Sequence, residues 1–414
     1  MRLATLAGEY WQNIRQFTPA ARSALVIFGA LGVAYGVFTT LFTVYLLAIG
    51  FDERFIGVLT AVGTLSGALA SLPAGIIYDR YGPRLVLLLG LTMTALGVAV
   101  ECLLTQASLL LIGGALAAVG VSLLLIAQAP LLAAVSSEQE RTHLYSAAAA
   151  LGILASVIGN AYAGFLPDVL VRWQEDAALR YRLTLLTGCL PAIAAFWFVP
   201  RLKLSAGVGE RPRIRVRECL DHSAVRRLIF TGVLLAAGGG LVLPFLNVFF
   251  VSEYGVGSRE VAVVRTVGIV ATAAGALAAP LLATRFGLVL GIVIGRASSA
   301  PWLLAAGLAP TWWLAAAAYA LRTFCVYCSD PLHTDYSMRI VPASLRATVN
   351  SLTFLSWNVS LAAAGWAGGQ VASVWGYPSL FSWGTALTLV AAVTFWLVFR
   401  SYSMPSFSTA SDSR

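Results

Sequence analysis

Charge is what this 414-residue chain has least of. Asp, Glu, Lys and Arg together make up 11% of it, against roughly 25% in an ordinary soluble domain, and 59% is hydrophobic. A mean hydropathy of +0.83 leaves too little polar surface for a water-soluble globule. Lysine is nearly absent, for Lys203 is the only one, so the formal net charge of +9 rests on arginine. Those arginines fall mostly in loops between apolar runs rather than on one face. That pattern excludes a nucleic-acid surface and fits topology signals and contact with anionic headgroups. Five cysteines, Cys102, Cys189, Cys219, Cys325 and Cys328, lie in or beside apolar segments and imply no disulfide framework. No glycine-rich phosphate loop with Lys and no paired nucleotide domain is present, which argues against nucleotide-driven work. No intramembrane His-Asp-Ser constellation, His-rich metal set or large extramembrane domain supports an enzyme or a receptor. Neither a cofactor nor a resident metal is expected.

What the chain does have is long apolar sequence. The runs are approximately 24–49, 56–78, 84–105, 108–135, 145–167, 183–200, 228–251, 261–283, 287–308, 311–338, 346–371 and 376–399. Each is at or near the ~20 residues needed to cross a hydrocarbon core of about 30 Å, so the sequence predicts an all-α membrane protein with twelve crossings. Continuous runs, rather than ten-residue alternating ones, exclude a β-barrel. The first run is longer than the ~7–15 apolar residues of a cleavable signal. Before it, Arg2, Arg15 and Arg22 interleave with Tyr10, Trp11 and Phe17, as in an interfacial helix.

Arginine placement sets the expected orientation. The loop between the sixth and seventh runs holds Arg201, Lys203, Arg211, Arg213, Arg215, Arg217, Arg226 and Arg227, whereas the alternating loops, such as Gly50 to Phe55, are short and weakly basic. Both termini and the central loop are therefore expected in the cytoplasm, with a bacterial inner (plasma) membrane as the location. The mixed loop from Pro167 to Arg182 does not settle orientation by itself. The expected organisation is a cytoplasmic segment 1–22, an N-terminal six-helix bundle 23–200, a linker 201–227, a C-terminal six-helix bundle 228–400 and a cytoplasmic tail 401–414.

An internal repeat supports two bundles. A gap-free shift of 205 positions brings Gly50 onto Gly255, Arg54 onto Arg259, Val62-Gly63 onto Val267-Gly268, Arg80 onto Arg285, Gly82 onto Gly287, Gly90 onto Gly295, Arg141 onto Arg346, Ser146 onto Ser351 and Gly164 onto Gly369. Six crossings separate the partners, so the halves share one orientation, as expected for bundles related by an axis along the membrane normal.

Between the second and third runs lies Gly75-Ile-Ile-Tyr-Asp79-Arg80-Tyr-Gly82-Pro-Arg84. Its order, G-x-x-x-D-R-x-G-x-R, resembles the signature joining the second and third helices of the major facilitator superfamily, a large group of secondary transporters. The second copy keeps Arg285 and Gly287 but has Thr284 in place of the acid. The resemblance implies that Asp79, with Gly75, Arg80, Gly82 and Arg84, acts at a cytoplasmic gate between halves, against the start of the eleventh helix near Ser344 to Arg346. The plainer reading is that Asp79 caps a turn. The resemblance also places helices one, four, seven and ten around a central cavity. Drug-proton antiporters of this superfamily carry an arginine in the fourth helix and a Gly-Pro pair in the fifth. Here Ala117 matches Arg322 by the shift, no arginine precedes Gly120, and Asn160 follows Gly159, which lowers that subclass.

Polar residues within the bilayer are expensive, and so carry a presumption of function. Arg322, near the midpoint of the tenth run, is the first candidate for a solute contact. Burial as a structural ion pair is the alternative. Tyr35, Thr39, Gln128, Asn160, Asn247, Trp357 and Asn358 are further solute-contact candidates, although many such groups serve interhelical bonds. Arg296 is in the ninth helix, which the resemblance places in the outer set, and so suits packing or an interhelical bond, and Arg265 lies nearer the external face. Asp330, His333 and Asp335 cluster beside Pro331. Asp330 and His333 share a helix face and are candidates for proton coupling or gating, with a solvated helix end as the plain alternative. Glu101, late in the third run, is a third proton-coupling candidate, or else reaches water at the outer end. Pro244 and Gly238 to Gly240 permit bending of the seventh helix.

These readings converge on a secondary or facilitative transporter of a small anionic or polar organic solute. Protons or another ion would drive it, lipids would surround it, and it would work as a monomer with no nucleic-acid partner. An exporter of hydrophobic compounds or lipids with the same fold is the alternative, and a membrane receptor or enzyme the more distant one.

Overall fold

The computed structural model describes residues 17–136, 138–202, 216–342 and 345–400. Nearly all of these are helical and none is in a strand. A bilayer offers no water to unpaired N–H and C=O groups, so a spanning segment must satisfy its backbone internally, as an α-helix does. Of the interfacial segment expected over residues 1–22, residues 1–16 lie outside the described residues, while Phe17 is buried in the core and Pro19–Arg22 already form the first turn of the first crossing. Most of the basic linker and the tail 401–414 also lie outside the described residues.

Among the described residues, nine stretches are long and apolar enough to cross a membrane. Two of them, Ser258–Leu308 and Thr348–Phe399, each contain two helices joined at a glycine with left-handed φ, Gly287 at 75° and Gly376 at 74°. Trp312–Ile340 completes the set: Arg322, Asp330, His333, Asp335 and Arg339 dilute its hydropathy without interrupting its helix. Twelve crossings result, as the apolar runs predict. We label them α1 Pro19–Ala48, α2 Glu53–Tyr81, α3 Pro83–Leu103, α4 Ala107–Val135, α5 Glu138–Leu170, α6 Ala177–Arg201, α7 Ser223–Tyr254, α8 258–286, α9 288–308, α10 Trp312–Ile340, α11 346–375 and α12 377–399.

Two crossings are less regular than their hydropathy predicts. The α6 helix starts at Ala177, ahead of its apolar run, because Asp176 caps it by accepting from Ala178 N at 2.9 Å. It then breaks at Cys189 and finishes in short helical turns to Arg201, since Pro191 lacks the N–H that the next bond needs. In α7 the Pro244 turn, Leu243–Phe245, separates Ser223–Val242 from Leu246–Tyr254, the bend foreseen at that proline.

The 205-residue repeat reappears as shared geometry. Gly82 and Gly287 hold φ of 82° and 75°, and Gly50 and Gly255 hold 94° and 62°. A side chain at any of the four would strain the turn. Arg80 lies over the Tyr81 ring at 5.3 Å and Arg285 over Phe286 at 5.7 Å. A Cβ on Gly90 would meet Leu124 and the Gly120 carbonyl, and one on Gly295 would meet Ser329 and the Cys325 carbonyl. Each of these contacts maps onto its partner at the same offset, so α3 seats on α4 as α9 seats on α10.

The chain forms two compact units. One is built on α1–α6 and also takes in Leu243–Ile269 and Gly365–Gly376; the other holds Pro212–Val242, Val270–Ala364 and the chain from Tyr377. The first has a core that includes Ile27, Leu87, Leu91, Leu124, Leu131 and Leu144. The second packs Leu228, Ile292, Tyr336, Val349 and Phe395 together with Cys219, which a short helix, Val216–Asp221, presents from the linker. The second half of the expected linker is thus partly core.

Candidate functional site

In the second unit the polar residues of α10 find separate environments. Arg296 of α9 is 7% exposed, and its Nη2 donates to Asp330 Oδ1 in an ion pair between α9 and α10. This is the interhelical bond expected of Arg296. Arg322 is equally buried, at 7%, yet among the described residues no hydrogen bond or ion pair engages its guanidinium. Tyr319, Tyr327, Arg296 and Asp330 are the groups within electrostatic reach of it. His333 turns its ring toward Phe395 at 5.7 Å, with Nε2 buried and unpartnered, while Asp335 pairs with Arg339 at 2.8 Å on the surface. The acidic and basic residues around Pro331 therefore divide among three environments. Among the described residues no three His, Cys, Asp or Glu side chains come together as a metal site.

In the first unit the candidate amides are occupied. Asn160 is 1% exposed, and with its amide nitrogen turned inward it donates to Thr40 Oγ1 at 2.9 Å and to the Gly36 and Ser156 carbonyls, each at 3.1 Å. Asn247 is 6% exposed and donates from Nδ2 to the Thr39 carbonyl at 2.8 Å and the Thr40 carbonyl at 3.2 Å. Thr39 returns its own hydroxyl to the Tyr35 carbonyl. Tyr35 is exposed and Gln128 half-buried. In the second unit, Trp357 packs against the core and Asn358 donates to the Phe354 carbonyl one turn back. Because Asn160 supports three interhelical and backbone bonds, Asn160→Ala should lower stability by about 1–2 kcal/mol, with solute Kd unchanged. Chemical or thermal unfolding beside a binding titration checks this.

Glu101 departs from the alternative reading that it reaches water. It is 2% exposed, its Oε1 lies 3.1 Å from where a Cβ on Gly114 would stand, and Oε2 has no partner. Gly113 and Gly114 of α4 leave the notch it fills. Arg265 is half-buried with Nε unpartnered.

At the signature, Asp79, Arg80 and Arg84 are exposed, as is Arg346, while Gly75 is intermediate. Gly82 N donates to the Tyr78 carbonyl, so backbone rather than Asp79 closes the turn. Ser344, the expected neighbour, lies outside the described residues.

The opposite end of the first unit carries contacts that the candidate list lacks. A Cβ on Gly369 of α11 would meet the Glu53 carbonyl and Arg54 Cα of α2; one on Gly164 of α5 would meet the Ser258 carbonyl and Arg259 Cα of α8. These are the same contact, 205 residues apart. Gly57 faces Gly369 as Ala262 faces Gly164. Arg54 Nε donates to Ser373 Oγ at 2.9 Å, Ser258 Oγ donates to the Gly164 carbonyl at 3.1 Å, and Arg259 lies over Phe165 at 5.2 Å. The repeat pairs Arg54 with Arg259 and Gly164 with Gly369, so the sequence held the signal without showing which helices met.

Residues 24–221 match the family model described as Major Facilitator Superfamily. That match spans just under half of the chain, its N-terminal half, and is where the chain resembles the superfamily. The human solute carrier family 2, facilitated glucose transporter member 12, is 30% identical over 184 residues, which is 44% of this chain and 28% of that one; the Macaca fascicularis protein of the same name matches equally. The chain thus spans less than a third of the length of these curated relatives. Among solved structures, the nucleoside transporter NupG shares the fold with a TM-score of 0.77 at 13% identity, covering 92% of this chain and 100% of that one. The xylose transporter XylE from E. coli, in an inward open conformation, gives 0.70 at 13% identity over 94% and 98%. A bacterial homologue of the human lysosomal transporter Spinster, inward-facing and occupied, gives 0.74 at 15% identity over 92% and 96%.

Proposed function

We propose that this chain is a member of the major facilitator superfamily and a secondary transporter that carries a small anionic or polar organic solute by alternating access, with Arg322 as the solute contact. The observation that carries this is the unpaired guanidinium: Arg296 has Asp330, whereas Arg322, equally buried, has no partner among the described residues. A buried charge left alone costs several kcal/mol, and an anionic ligand is the group that would compensate it. Asp330, His333 and Glu101 remain the groups for proton coupling. Arginine placement supports cytoplasmic termini and a plasma-membrane setting, bacterial inner membrane included. The Asp79 signature and Arg346 would then act at the cytoplasmic gate.

The human facilitated glucose transporter among the relatives supports a second reading, a neutral sugar-like solute bound by hydroxyl and amide groups. Counterflow in proteoliposomes separates the two. Vesicles loaded with unlabelled organic acids should accumulate labelled acid from outside, and glucose or uridine should do so far less. Counterflow of glucose or uridine with none of the acids would favour the neutral solute and remove Arg322 from the contact.

A further inference from the structure

The charges around Arg322 can be counted. Two guanidiniums, Arg296 and Arg322, share one carboxylate, Asp330, which is spent on Arg296. Arg296 and Asp330 are the charged groups within electrostatic reach of Arg322. In the second unit α8, whose Gly275 packs on α10, adds Arg285 only at its end, Arg346 starts α11, α12 carries no charge, and on α10 Asp335 and Arg339 neutralise each other. His333 lies against Phe395 with Nε2 unpartnered, so no anion holds it charged. One positive charge is left over among these groups.

We propose that the solute bound at Arg322 carries a single negative charge on an oxyanion head, and that Asp330 sets this charge preference by cancelling Arg296. The inference rests on the anionic reading above and narrows it. A neutral solute would leave Arg322 uncompensated. A dianion would bring one charge more than the site can answer, and an uncompensated charge is costly where burial leaves little water to screen it. The oxyanion can be a carboxylate or a phosphate diester, which share the two-oxygen edge that a guanidinium fork accepts.

The eight residues from Arg322 to Asp330 rise about 12 Å along a helix. At an effective dielectric constant of about 20, a unit charge at that distance changes the binding of another unit charge about tenfold. Asp330→Asn should therefore strengthen a monoanion about tenfold and a dianion about a hundredfold, moving the preference about tenfold toward the dianion. Arg296→Gln should do the reverse. The double variant, Arg296→Gln with Asp330→Asn, keeps the leftover charge and should keep the wild-type preference even though the ion pair is gone.

The test uses the purified full-length protein and four probes: dimethyl succinate, monomethyl succinate, succinate and dimethyl phosphate, titrated calorimetrically at pH 7.5. Monomethyl succinate or dimethyl phosphate should bind the wild type more tightly than succinate, and whichever of the two binds better identifies the head group. Should succinate equal or exceed the monoanions in the wild type, the charge count is wrong. A ratio that Asp330→Asn leaves unmoved also overturns it, and if that variant does not fold, the Arg296→Gln and double variants give the same comparison. Binding of dimethyl succinate alone, or of no charged probe, would instead overturn the anionic reading itself.

Discussion

Arg322→Ala should abolish solute binding and counterflow while the purified protein melts no lower than the wild type. The two halves of that expectation come from one observation, a guanidinium that is buried and unpaired among the described residues. In the empty protein the charge is a liability whose removal relieves desolvation, which offsets the packing lost with the side-chain stem. In the loaded protein it is half of a charge-assisted bond, and truncating one side of such a bond costs about 2–5 kcal/mol, or roughly 30- to several-thousand-fold in Kd. Arg322→Lys keeps the charge but replaces a planar fork with a point donor, so affinity should fall by an intermediate amount. A structural role predicts the opposite ordering: the Ala variant would melt lower and the solute constants of the surviving protein would be normal. Parallel measurement of melting midpoint and counterflow KM distinguishes them, and unchanged KM in Arg322→Ala removes this residue from the site.

Much of this fold could be read from residues alone because lipid makes the rules severe. A run of about 20 apolar residues has few alternatives to a helix, and Gly82, Gly287 and Gly376 punctuate the chain where the backbone turns through positive φ. Depth was legible too: Arg322 is far from either end of its run, and it is buried as its position predicts. Partnership was not. Arg296 and Asp330 lie 34 residues apart on different helices, and hydropathy says nothing about which faces meet. Glu101 shows the same limit. Its place near a helix end left contact with water as an alternative to proton coupling, but the paired glycines at 113 and 114 form a notch that encloses it. Asn160 and Asn247 looked like solute contacts because amides are rare in apolar helices. Both are held by Thr39, Thr40 and neighbouring carbonyls, partners that hydropathy does not reveal, since a polar group in lipid takes whichever partner is within reach.

The second large effect should come from the glycine contacts of the first unit. A Cβ on Gly57 would stand 2.9 Å from the Gly365 carbonyl oxygen and 3.2 Å from Gly369 Cα. Both are backbone atoms, so a leucine there cannot be accommodated by rotating a neighbour, and α2 and α11 must separate. Overpacking of this kind costs about 1–3 kcal/mol, and each 1.4 kcal/mol is tenfold in a conformational equilibrium. If the passage opens by turns, as proposed, Gly57→Leu should disfavour the state in which this end is sealed and cut counterflow at least tenfold while leaving the fold intact. Repeat symmetry extends the argument: Gly164→Leu should act the same way, because a Cβ there would stand 2.6 Å from Ala262 Cβ and 3.3 Å from the Ser258 carbonyl. Gly232→Leu is the control, since nothing lies within 4 Å of a Cβ at that position. The readout is a Thr43→Cys reporter in a background without native cysteines, because Thr43 lies about one turn before the end of α1, the end from which the chain passes into α2 and Gly57, and its hydroxyl accepts from Asn247 Nδ2 at 3.4 Å. A membrane-impermeant maleimide should label the reporter faster in both leucine variants than in the wild type. Slow labelling with normal counterflow in both would show that these glycines serve packing alone and take no part in the alternation.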